Sequence, residues 1–262
     1  MAAQQIHIDQ LIQGTIQCLQ LWSVYAAALI SNAVGGPVVS AGPFKGLRYD
    51  GNTHLTMAAA KLLGCYEEET FVCLETAIAM NPPRVINIGA AEGYYALGAA
   101  MRLPHAEVIA FEASDSLRNA CEQLIDVNRL SGRIQLGGFC SLAELKTYLI
   151  PSTWLIVDIE GGELDLLQPN LLPALAHTTM LVETHDFAKP GTTAELFSRF
   201  SASHEIAHIS QRARLAADYP LFVQIAPPSA WWSGVLFEMA ISELRAIDQA
   251  WLYMRPRKLA GL

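Results

Sequence analysis

Val85-Ile86-Asn87-Ile88-Gly89-Ala90-Ala91-Glu92-Gly93-Tyr94-Tyr95 reads as a strand, a tight turn with two glycines and the first turn of a helix. Three of its first four residues are apolar, as in a strand buried in a parallel sheet. Ala96 to Met101 continues as helix. A glycine turn between strand and helix lets a ligand lie against bare backbone, with the positive helix N-terminus aimed at it. A second apolar strand, Val108 to Phe111, ends on Glu112. In doubly wound folds an acid at that tip, about 20 residues past the glycines, holds the two hydroxyls of a ribose. Turn and acid together predict a nucleoside-bearing cofactor.

The spacing narrows the choice. A dinucleotide site wants G-x-G-x-x-G, whose close glycines clear room for a pyrophosphate. Here the spacing is Gly89-x-x-x-Gly93, Ala91 stands where the middle glycine would be, and Glu92 would set a negative charge beside any pyrophosphate. A cofactor without phosphates is favoured, and S-adenosylmethionine is the common nucleoside cofactor of that kind. The glycines alone would also suit an ordinary structural turn; Glu112 weighs against that reading.

Three motifs, Asn87 to Tyr95, Phe111-Glu112-Ala113-Ser114, and Val157-Asp158-Ile159-Glu160-Gly161-Gly162-Glu163, resemble those of the FkbM-type methyltransferases. The resemblance runs over roughly residues 84–186, and its third motif, D-x-E-G-x-E after a strand, is the most specific. It implies a class I, S-adenosylmethionine-dependent enzyme, of a family acting mostly as O-methyltransferases on sugars and secondary metabolites. It also implies a doubly wound, Rossmann-like α/β fold with a seven-stranded, mostly parallel sheet. The chain departs from the family pattern at Asn87, where aspartate is more usual, and after Glu112, where a proline often follows. The asparagine still offers polar atoms to the methionine end of the cofactor.

The expected cofactor contacts are Asn87, the turn Gly89, Ala90, Ala91, Glu92, Gly93 and Tyr94, then Glu112, Ala113 and Ser114. Phe139 and Cys140 follow the third strand and are expected against adenine; Asp158, at the tip of the fourth, completes the set. A methionine carboxylate can accept the backbone N–H groups of the glycine turn.

The chain of 262 residues suits one large domain or one domain with a cap, and half of it is apolar, which supplies a sizeable core. A net charge of −8 argues against nucleic acid, which needs clustered Lys and Arg. Arg255-Pro256-Arg257-Lys258 is a lone basic tail. Five cysteines without C-x-x-C spacing fit a reduced, cytoplasmic setting rather than a disulfide scaffold or a zinc cluster.

The first 44 residues contain one acid, Asp9, and no Lys or Arg, so a positively charged secretory start is missing. The apolar run near residues 19–34 is broken by Gln20, Ser23, Ser31 and Asn32, too short and polar for a membrane span. Ile8, Leu11 or Ile12, Ile16, Leu19, Trp22, Ala26 and Leu29 recur at helical spacing. They predict an amphipathic helix that packs on the domain or forms a homodimer. Residues 1–50 are read as a helical cap and turn-rich segment, and 51–262 as the catalytic domain.

Lys61 to Met80 reads as one helix ended by Asn81-Pro82-Pro83. Strands and helices then alternate from residue 85 to strand 179–183, with last strands at His204 to Ser210 and Gln249 to Arg255. Between those two, residues 211–248 form a long insertion with a helix near 235–247, expected to help enclose the substrate.

Methyl transfer from a sulfonium is an in-line displacement, so the protein mainly aligns the nucleophile and removes its proton. Asp158 and His185 are the catalytic candidates. Glu163 is expected to serve as a helix-start acid. Asp158, Glu183 and His185 sit at adjacent strand tips, where two roles compete. They could bind Mg2+ or another divalent ion, or His185 could act as general base beside a carboxylate. Lys45, Arg48, Tyr49 and His54 are candidates for acceptor contacts, as are Trp231 and Trp232 by ring stacking. Surface placement or ordinary packing explains them equally well. His204 and His208, on a strand, have no metal role.

The reading is O-methylation of a small-molecule hydroxyl, on a sugar or natural-product scaffold. Its rivals are N-methylation of a small amine, an NAD-dependent oxidoreductase, and a catalytically silent methyltransferase-like binding protein.

Overall fold

The computed structural model describes residues 2–50, 57–241 and 249–257. In chain order the strands are β1 Arg84–Ile88, β2 Glu107–Phe111, β3 Ile134–Gly137, β4 Trp154–Val157, β5 Thr179–His185, β6 His204–Ser210 and β7 Gln249–Pro256. The helices are α1 Ala2–Val34, α2 Ala58–Leu63, α3 Phe71–Ala79, α4 Tyr94–Arg102, α5 Asp115–Val127, α6 Leu142–Tyr148, α7 Glu163–Leu166, α8 Thr192–Phe200, α9 Pro220–Ile225 and α10 Ser233–Ala240. The strands form one sheet in the order β3-β2-β1-β4-β5-β7-β6. Pairings from β3 to β5 are parallel, and β7 runs antiparallel to both neighbours. This is the doubly wound, Rossmann-like α/β architecture with a seven-stranded, mostly parallel sheet expected from the sequence.

Near-continuous Val, Ile and Leu in β1, β2 and β4 suit strands covered on both faces. Alternation divides them. Ile86, Ile88, Ile109, Phe111, Leu155, Val157, Met180 and Val182 join Leu145 of α6, Leu166 of α7, and Leu196 and Phe200 of α8 in one buried cluster. Asn87, Ile156, Leu181, Glu183 and His185 fall in the other parity. The order of strands reverses between β1 and β4, so the carboxyl ends of those two strands form the switch point where such sheets bind ligands.

The chain divides into two compact units, Met1–Glu68 with Ala213–Arg245, and Glu69–Arg212 with Ala246–Leu262. The sheet belongs to the second. In the first, α1 packs against α2, α9 and α10, burying Ala26 and Ile30, and Trp232 meets Tyr25 edge-on at 6.3 Å between ring centroids. The first unit therefore extends past the boundary read at residue 50 and takes in most of the 211–248 segment. Among the described residues, no helix is long and apolar enough to cross a membrane.

Two expectations are corrected. The helix read over 61–80 is broken after Leu63, because Gly64 turns left-handed at φ 83° and lies so close to Ala41 that a side chain there would overlap its backbone. The fifth strand continues past Glu183 to His185, because β7 pairs with it as far as His185 opposite Gln249. Helix α8 was not part of the alternation read from the sequence. The N-terminal helix is present, but the side chains of Ile8, Leu11, Ile12, Ile16 and Leu19 lie outside the described residues, as do His54, Lys258 and the stretch 242–247.

Candidate active site

The turn after β1 is closed by backbone geometry. Gly89 and Ala90 both donate their N–H groups to the carbonyl of Phe111, each at 2.9 Å, and Gly93 donates to Ala90 at 2.7 Å. Gly89 (φ 77°) and Gly93 (φ 102°) take left-handed conformations, as does Ala91 (φ 48°). A side chain at Gly93 would run into Leu97 and Cys121, so that glycine serves packing of α4 against α5.

Glu112 leaves β2 with both carboxylate oxygens held by this frame. Oε2 accepts the N–H of Ala91 at 2.8 Å, and Oε1 accepts the N–H of Ser114 at 2.7 Å. Ser114 also caps α5, its hydroxyl accepting the N–H of Leu117. Two backbone bonds fix the carboxylate and leave lone pairs for a further donor.

Beside it lies a cavity of about 620 Å³ over the carboxyl ends of β1, β2, β3 and β4. Of the expected cofactor contacts, Gly89, Ala91, Glu112, Ala113, Phe139, Cys140 and Asp158 line it. Asn87, Ala90, Glu92, Gly93, Tyr94 and Ser114 do not. Phe139 is 72 % exposed, an aromatic face presented to the cavity rather than spent in the core. Cys140 is buried, and burial, then Glu144, pushes its thiol up to about 12, so it meets the cavity as a neutral, apolar wall. Glu92 is buried at 2 % exposure. Asn87 is fully buried, and neither of its amide atoms has a hydrogen-bond partner among the described residues.

The far wall carries the charge. Asp158 follows β4 and donates its N–H to the carbonyl of Ile88; Glu160 and Gly161 then take left-handed φ values of 54° and 109°. That double turn tucks Glu163 inward, fully buried. Its Oε1 accepts the N–H of Gly161 at 3.0 Å and lies 2.6 Å from Nδ1 of His185. Glu163 opens α7, as expected of a helix-start acid, and its carboxylate also faces the imidazole.

Strand alternation puts Glu183 and His185 on one face, while Thr184 turns away to the carbonyl of Ala250. Val157 pairs with Val182, so Asp158 comes level with Glu183. Nε2 of His185 lies 3.4 Å from Asp158, 3.5 Å from Glu160 and 3.6 Å from Glu183. One donor atom from each of Asp158, Glu183 and His185 falls within 4.8 Å of the others, so this trio, read from the sequence, does meet. Burial pushes the imidazole down, yet the Glu163 hydrogen bond and the charges of Glu183 and Asp158 outweigh it and hold His185 at about 10. His185 has no exposed surface; Asp158 and Glu160, not His185 or Glu183, reach the cavity.

The remaining candidates part company. Asp186 binds the N–H groups of Gly191 and Thr193 at the start of α8, a structural task. His204 is buried against the carbonyl of Thr178 at 3.0 Å, and His208 is exposed. Tyr49 is buried, Lys45 and Arg48 are exposed, and Trp231 is 86 % exposed. Glu163 is the site residue that sequence reasoning missed. The turn that carries it inward is set by Glu160 and Gly161, which no local sequence pattern marked.

No protein-family model matches the chain, and no curated protein matches it. Solved structures resemble part of it. The O-methyltransferase TomG from Streptomyces achromogenes, in complex with SAM, is 12 % identical with a TM-score of 0.45, over 55 % of this chain and 73 % of that one. The O-methyltransferase from Bacillus cereus, in complex with SAH, is 15 % identical at 0.45, over 55 % and 74 %. The C-terminal domain of precorrin-6Y C5,15-methyltransferase from Rhodobacter capsulatus is 16 % identical at 0.49, over 80 % and 93 %. At such values they carry no argument about this chain's chemistry.

Proposed function

We propose that this chain is an S-adenosylmethionine-dependent methyltransferase that methylates a hydroxyl of a small-molecule acceptor. The observation that carries the reading is the Glu112 carboxylate, held by the N–H groups of Ala91 and Ser114 at the edge of the switch-point cavity. A ribose diol is the donor pair such an acid takes at this position. The apolar lining by Leu117, Phe139 and Cys140 suits an adenine ring, and the mouth toward Asp158 is left for the methionine end and the acceptor. The FkbM-like motifs support the finer assignment to that group of O-methyltransferases, working on a sugar or secondary metabolite. Action in the cytoplasm and dimerisation through α1 belong to the same proposal.

In the reaction the acceptor hydroxyl loses its proton, its oxygen forms the new bond to the methyl carbon, and the carbon–sulfur bond breaks to leave a neutral thioether. The protein's part is to hold the acceptor in line and receive the proton. Asp158 and Glu160 are the acids that reach the cavity; His185 acts on them from behind.

Calorimetric titration with S-adenosylhomocysteine, with NAD as the comparison, tests the reading. Saturable binding of S-adenosylhomocysteine is expected. Binding of NAD alone would replace the methyltransferase with an oxidoreductase.

A further inference from the structure

We propose that Asp158, Glu183 and His185 bind one divalent transition-metal ion, and that Glu163 is the positioning residue that aims the imidazole at it. The inference deepens the methyltransferase reading at the same site, and its first measurement needs no methyl donor.

The argument starts from His185. Glu163 sits 2.6 Å from Nδ1, so that nitrogen keeps its proton, and an ion that takes the place of the Nε2 proton leaves a neutral ring with the Nε2 lone pair aimed away from Glu163. The ring is fully buried, and among the described residues Nε2 makes no well-aligned hydrogen bond. A buried nitrogen is not left so without cost. What it faces are carboxylate oxygens of Asp158 at 3.4 Å, of the exposed Glu160 at 3.5 Å and of the buried Glu183 at 3.6 Å. Those gaps exceed the usual hydrogen-bond range of about 2.7–3.2 Å. They fit donors that share an ion. With ligand distances of about 2.1 Å, neighbouring donors stand roughly 3.0 Å apart in an octahedral shell and roughly 3.4 Å in a tetrahedral one. A carboxylate that holds the second nitrogen of a ligating histidine is the usual outer partner of such a site.

The donor set also selects the ion. One imidazole with two carboxylates suits Mn2+, Fe2+, Co2+ or Zn2+, whereas Mg2+ and Ca2+ prefer oxygen throughout. Glu183 and His185 close the inner side, while the Asp158 side chain is 26 % exposed and lines the cavity. The open side of the shell therefore faces the place proposed for the acceptor, where an ion lowers the pKa of a hydroxyl that meets it.

The chain, stripped with a chelator, is titrated with MnCl2 alone by calorimetry, and bound Mn2+ is followed by electron paramagnetic resonance. One saturable ion per chain is expected. Glu183→Gln and His185→Ala should each lower affinity at least tenfold, and Glu163→Gln by about 10- to 100-fold, with circular dichroism unchanged. If His185→Ala does not fold, the two glutamine variants carry the comparison. Absence of a stoichiometric site, or parent-like affinity in both glutamine variants, overturns the proposal; so does a doubly protonated His185 in NMR titrations at saturating Mn2+ or Zn2+. S-Adenosylhomocysteine is titrated into the same stripped sample. Its binding without an ion site sinks this inference and leaves the methyltransferase reading standing; an ion site without its binding does the reverse.

Discussion

Gly89 and Asp158 approach so closely that a side chain on the glycine would overlap the carbonyl oxygen of Asp158. The two residues follow neighbouring strands, β1 and β4, and the contact draws the Glu112 side of the cavity toward its acidic side. Gly89→Ala meets that overlap and a left-handed φ of 77° together. A loss of about 2–4 kcal/mol in folding stability is expected, from overpacking and backbone strain. Urea denaturation measures it. Parent-like stability with parent-like cofactor affinity would show that the strand tips are not held this close.

Glu112→Ala should weaken S-adenosylhomocysteine binding by about 1.5–3 kcal/mol, the scale of charge-assisted hydrogen bonds to a diol. Glu112→Gln retains an acceptor for the backbone and should lose less. Calorimetry reads both, and equal affinity across all three proteins would place the ribose elsewhere.

Phe139→Ala separates binding from folding. The ring is largely exposed, so its removal should leave the melting temperature within about 1–2 °C. Loss of stacking should cost about 0.5–1.5 kcal/mol in cofactor affinity. A large fall in melting temperature with affinity intact would mean that the ring belongs to the core instead.

The cysteines should react in an order set by burial. Cys18 is exposed, whereas burial pushes Cys121 and Cys140 up to about 12. A thiol titrating that high is almost entirely protonated at pH 8, and the thiolate is the nucleophile. Iodoacetamide at pH 8 should label Cys18 first and spare Cys121 and Cys140 until urea is added, as peptide mapping would show. Early labelling of Cys140 would reveal a cavity wall that opens readily.

Much of the sheet was legible because its signals are local. Val85 to Ile88, a glycine turn and an acid after Phe111 need only neighbouring residues to be recognised, and the structure places strands there. The apolar runs before Asp158 and Glu183 likewise marked two strand tips, where Asp158, Glu183 and His185 do meet. What escaped was set by distant contacts. Gly64 breaks the long helix because Ala41 lies against it. The extra residues of β5 exist because β7 pairs there. Glu163 is the helix-start acid it was read as, but nothing adjacent reveals that Glu160 and Gly161 also turn it toward His185.

The antiparallel strand β7 has a consequence for how the protein matures. His185 pairs with Gln249, so the outer edge of β5 gains its neighbour only after a long stretch of chain has been made and folded back, a closure that slows assembly. During synthesis the nucleoside half, β1 to β4, can form while β5 is still a bare border. A nascent chain halted before β7 should therefore pair β5 with β4 yet leave the outer backbone edge of β5, from Met180 to His185, without its antiparallel neighbour.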